Sequence, residues 1–92
     1  MPSPYQPLHC DLHDYLEIAC MHGYELQVEL RDGSSFVAVA LTTRTAPSKE
    51  EFLLLHNASG RFEVRLDRLL AITPLTPGAS FARILMSSRD NG

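Results

Sequence analysis

Two thiols and three imidazoles crowd a fourteen-residue stretch of this 92-residue chain: His9, Cys10, His13, Cys20 and His22. Thiolates and imidazoles are the preferred ligands of zinc, and a thiolate beside an imidazole can be a nucleophile. The spacing serves neither chemistry. There is no tight C-x-x-C knuckle, and Cys20 falls on an apolar helical stripe, where a free cysteine behaves as a small hydrophobe. No Gly-rich turn that could support an oxyanion accompanies either cysteine. Neither a metal nor a cofactor is expected, and no nucleophile, base and orienting group come together as an enzyme's constellation.

The carboxylates carry a clearer signal. Behind a net charge of -3, the first thirty residues hold Asp11, Asp14, Glu17, Glu25 and Glu29 and no Lys or Arg, while all eight basic residues come later. An acidic field attracts a basic surface and repels phosphate backbones. The asymmetry therefore points to a basic partner and away from direct nucleic-acid binding.

Asp11 and Asp14 also suit a helix start, as cap and as answering acid three residues on, stabilising the helix by about 0.5–2 kcal/mol at a cap. The two roles are compatible, because a capping carboxylate keeps acceptor capacity for a partner. Gly23 reads as the C′ residue, which places a helix at about 12–22. Leu12, Leu16, Ala19 and Cys20 form its buried stripe with Tyr15 beside it, and Asp11, Asp14, Glu17 and Met21 fall on other faces.

After Gly23 the period becomes two. Tyr24, Leu26, Val28 and Leu30 alternate with polar residues as a strand with one wet face. Asp32-Gly33 turns the chain into a second strand at 35–41. The polar run 42–50 is expected to be the longest loop. A third strand at 52–56, apolar on both faces, is central; Asn57 to Gly60 turn into a fourth, and a corner at Asp67 leads to a fifth at about 69–73. Residues 82–86 could add a sixth. Arg65, Asp67 and Arg68 read as a corner held by local salt bridges, and Tyr24 as a core residue.

With 45% hydrophobic residues, the chain suits one compact domain. Pro2, Pro4 and Pro7 predict an extended arm at 1–10, followed by a single domain at 11–81 and, at 82–92, an extra strand with a flexible tail. The fold class is mainly β: a small five-stranded antiparallel barrel behind an N-terminal helix, closed so that no edge is exposed. No apolar block of export or membrane-spanning kind is visible. Two cysteines are too few for a disulfide framework and suit a reducing, cytoplasmic compartment.

The order of particular residues adds to this. YQPLHCD at 5–11, LEIACMH at 16–22, ELQVELRDG at 25–33 and FEVRLDRLLAI at 62–72 follow, in order and nearly in spacing, the pattern of the Rho-binding antiterminators, the Rof family, over roughly residues 5–81. The resemblance implies an Sm-like barrel and a non-catalytic inhibitor that docks on the RNA-binding N-terminal region of transcription termination factor Rho and blocks RNA loading. Carried over residue by residue, it implies contacts at Asp11, His13, Asp14 and Glu17, and at Arg44 and Lys49 after the second strand. On this reading the protein is a monomer that competes with RNA. The alternative is an Sm-like module that binds RNA itself, for which the acids at Glu25, Glu29 and Glu63 are unsuited.

Overall fold

The computed structural model describes residues 10–86; the expected N-terminal arm, the tail beyond Met86 and the side chains of Cys10 and Asp11 lie outside the described residues. One helix and six strands follow in chain order: α1 (Cys10–His22), β1 (Glu25–Leu30), β2 (Ser35–Thr45), β3 (Glu51–Asn57), β4 (Gly60–Arg65), a single 3-10 turn at Leu66–Arg68, β5 (Leu69–Pro74) and β6 (Ile84–Leu85). The helix begins two residues ahead of its expected start, so Asp11 lies inside the first turn.

The end of α1 follows from Gly23. Its φ of 62° is the left-handed conformation that glycine adopts without a Cβ penalty. The Gly23 N–H then donates to the Cys20 carbonyl at 3.2 Å and the Tyr24 N–H to the Ala19 carbonyl at 2.9 Å. These are the two bonds of a Schellman motif, and Tyr24 and Ala19, both buried, supply its apolar contact.

The strands form one antiparallel sheet in the order β4-β3-β2-β1-β5-β6. A mainly β domain behind an N-terminal helix is what the chain forms, with six strands in place of five. The sheet is not closed. One side of β5 pairs with β1; on its other side Ala71 and Ile72 pair with Leu85 and Ile84 of β6, the side β4 would need for closure. β4 and β6 are therefore its edges among the described residues.

The expected long loop at 42–50 is mostly strand. β2 runs on through Thr45, and Thr42 to Thr45 pair with Leu54 to Glu51 of β3, leaving only 46–50 as the turn. The threonines are β-branched and fit a pleated, half-exposed ribbon well. β2 is long because it serves two partners in succession: Ser35–Val39 pair with β1, and Val39 onward pairs with β3. A bulge between Ala40 and Thr42 bends the strand where it changes partner.

The core joins Leu16 and Ala19 of α1 to Leu26 and Val28 of β1, Ala38 and Ala40 of β2, Leu53 and Leu55 of β3, and Leu66, Leu69, Ile72 and Met86. α1 packs chiefly on β2, whose inward alanines leave room for Leu16 and Ala19. Tyr24 is buried as expected, its hydroxyl accepting the Ser80 N–H at 3.0 Å. Phe81 packs between the Tyr24 ring at 5.8 Å and the Tyr15 ring at 5.1 Å. The segment after β5 is thereby fastened against the helix.

Candidate functional site

A straight helix advances about 100° per residue, so burying Leu16 and Ala19 turns Asp14, Glu17 and Met21 outward. All three are exposed, Met21 to 75%. Asp14 and Met21, two turns apart, lie nearly in line, with Glu17 between them and slightly to one side. His13 occupies the flank. Its Nε2 lies 2.7 Å from Glu51 Oε1 at the start of β3, with about a quarter of each side chain exposed. That contact ties the first half of α1 to the end of the β2–β3 hairpin, two residues from Lys49.

The partners of the other acids make this face distinctive. Glu63 receives two hydrogen bonds from Arg44, at 2.7 and 2.9 Å, and Glu29 receives two from Arg83, at 2.9 and 3.0 Å. Arg65 bridges Asp67 at 2.7 Å, the local pair expected at this corner, and reaches Glu50 across the sheet at 2.8 Å rather than sharing Asp67 with Arg68. Ser34 donates to Asp32 through both its N–H and its hydroxyl. The donated hydrogen bonds hold Glu29, Glu63 and Asp32 below their ordinary carboxylate range and raise Arg44 and Arg83. Among the described residues, the carboxylates left without an ion-pair or hydrogen-bond partner are Asp14, Glu17 and Glu25.

The residues implied after the second strand divide. Arg44 pairs in register with Phe52, whereas Glu51, the partner of His13, pairs with Thr45. Successive residues of a strand face opposite ways, so Arg44 lies on the reverse of the ribbon from His13 and the helix. There its guanidinium covers the Phe52 ring at 4.7 Å and gives two of its N–H donors to Glu63. Beside it a groove of about 420 Å³ is lined by Leu30, Phe52, Val64, Glu50, Glu63, Arg65 and Arg68; both of its acids are already paired with arginines. Lys49 is exposed in the turn, with a φ of 75°. That conformation is uncommon for a residue with a Cβ. The turn is closed by the Lys49 N–H on the Ala46 carbonyl and the Ala46 N–H on the Glu50 carbonyl, both at 2.8 Å.

Cys20 is half-buried, and burial, with the charge of Glu17 adding to it, pushes its thiol up to about 11. A thiol so shifted stays protonated at neutral pH and is a poor nucleophile or metal ligand. No group of three or more His, Cys, Asp or Glu comes together to hold a metal among the described residues. No helix of the described residues is long and apolar enough to cross a membrane. Sequence reasoning missed the long-range partners Glu51 and Glu63, since only the strand register reveals them. It placed Met21 off the buried stripe without giving it a role.

Comparison with known proteins shows the family and the fold. Residues 7–86 match the family model described as modulator of Rho-dependent transcription termination, ROF. Protein rof of Escherichia coli strain K12 is 36% identical over 73 residues, covering 79% of this chain and 86% of that protein. Protein rof of Shigella flexneri matches to the same extent. Among solved structures, YaeO bound to magnesium from Vibrio cholerae O395 superposes with a TM-score of 0.70 over 90% of this chain and 97% of that one. At 22% sequence identity, this likeness is one of fold.

Proposed function

The chain belongs to the Rof family of modulators of Rho-dependent transcription termination, and from that membership we propose that the outward face of α1 docks on the RNA-binding N-terminal region of Rho and blocks loading of the transcript. The protein is a non-catalytic regulator, acting in the cytoplasm as a monomer. One observation carries the docking proposal: Asp14 and Glu17 stand exposed and unpartnered together on one helix face, while every other carboxylate whose side chain is described has a partner except Glu25.

A surface that holds single-stranded RNA needs cations for phosphates and aromatic rings for bases. A compact carboxylate pair competes for those cations. Asp11 in the first turn, His13 on the flank and Lys49 in the adjoining turn extend the contact. Arg44 faces the other side of the ribbon with two of its N–H donors on Glu63, and is left out of this docking face.

The test is a titration of Rho with the wild-type protein and with Asp14→Lys and Glu17→Lys, singly and together, alongside displacement of a short single-stranded RNA. Reversal is expected to weaken binding by about tenfold or more at low ionic strength and to flatten its salt dependence, with thermal unfolding nearly unchanged. Wild-type affinity in the double variant, or undiminished RNA occupancy of Rho at saturation, sinks the proposal. Affinity of the protein itself for RNA at physiological salt would favour the RNA-binding alternative.

A further inference from the structure

Resting on the docking reading above, we infer that Met21 is the apolar anchor of the same helix face, seated against an aromatic or apolar pocket of the basic partner surface. Met21 is the most exposed of the large hydrophobic side chains among the described residues, at 75%, against 43–56% for Val37, Leu75 and Leu85. It sits on the last full turn of α1, about 6 Å along the axis from Glu17 and about 10 Å from Asp14 at 1.5 Å per residue. The row thus presents two carboxylates and then an apolar tip.

Single exposed hydrophobics are ordinary on protein surfaces. Here, however, the exposed side chain is in line with two unpartnered charges of one sign and on a rigid element. The Schellman motif that ends α1 two residues later fixes the helix end that presents it. A partner complementary to this row has cations beside an aromatic or apolar recess a few ångströms further on. That is the make-up of a surface that grips phosphates and stacks bases. The Met21 thioether, unbranched and polarizable, suits a ring edge or an irregular recess. The helix thereby imitates one phosphate-and-base stretch of a single strand, its carboxylates taking the place of phosphates and Met21 that of a base.

The experiment measures Rho binding by Met21→Ser and Met21→Leu across a salt series, beside the two charge reversals, with a thermal melt for each. Met21→Ser is expected to bind about fivefold to tenfold more weakly with the wild-type salt slope, because the lost contact is apolar. Met21→Leu is expected within about twofold of wild type. Wild-type affinity in Met21→Ser, together with weakened charge reversals, overturns the anchor alone. Wild-type affinity in the charge reversals overturns the docking reading and the anchor with it. A Met21→Ser loss that fades with added salt, or an equal loss in Met21→Leu, also overturns the anchor.

Discussion

Replacing Gly23 by alanine isolates what one backbone conformation contributes to the helix that carries the docking face. Gly23 has a φ of 62°, and a Cβ built there meets nothing within 4 Å, so no steric clash adds to the effect. What remains is the left-handed penalty of an L-residue, about 1–2 kcal/mol, less the roughly 0.4–1 kcal/mol by which alanine reduces the freedom of the unfolded chain. The net expectation is a destabilisation of about 1 kcal/mol. In a domain of this size, that lowers Tm by about 4–8 °C. Gly23→Asn, whose side chain tolerates this region, is expected to lose less. Thermal and urea unfolding of the three proteins, followed by circular dichroism, give the answer, with Rho affinity below the transition unchanged. An alanine variant as stable as wild type refutes the reasoning, and an asparagine variant worse than alanine shows that contact rather than conformation governs the position.

Two further outcomes follow from the core and from the thiol. Leu53 is fully buried on the inner face of β3, so Leu53→Ala is expected to cost about 2–5 kcal/mol in chemical denaturation, whereas truncation of exposed Leu75 costs under about 0.5 kcal/mol. Because the Cys20 thiol is raised from 9.0 to about 11, its contribution to stability is fully present below pH 9 and is lost as the pH rises toward 11. In a Cys10→Ser background, alkylation of Cys20 at pH 8 should be slow until urea unfolds the chain. A steady Tm between pH 8 and 11, or rapid alkylation of the folded protein, contradicts that picture.

Much of the fold was legible because it rests on local regularities. The three- and four-residue spacing of Leu12, Leu16, Ala19 and Cys20 set the helix, and the alternation from Tyr24 to Leu30 set the first strand. Gly23 marked the junction between them. The extension of β2 was not legible: TTRT reads as polar punctuation until β3 lies beside it, and tertiary pairing overrides that reading. The open sheet was not legible either, because it depends on which strand reaches the free side of β5.

For the site, the outward turn of Asp14 and Glu17 was visible on the helical period alone. Their lack of partners was not. It emerges only when Arg44 is found on Glu63 and Arg83 on Glu29, pairings that span 19 and 54 residues of chain.

The shared strand β2 also orders how the chain can assemble. Both hairpins that use it, β1–β2 and β2–β3, join neighbours across short turns, so either can zip on the microsecond timescale of an isolated hairpin. Pairing β1 with β5 must instead close a loop from Leu30 to Leu69. Closing a loop of that length costs more entropy than closing a hairpin turn, by an amount that grows only slowly with length. The sheet thus divides into β1 to β4, each paired with its neighbour in sequence, and a long-range seam through which β5 joins β1.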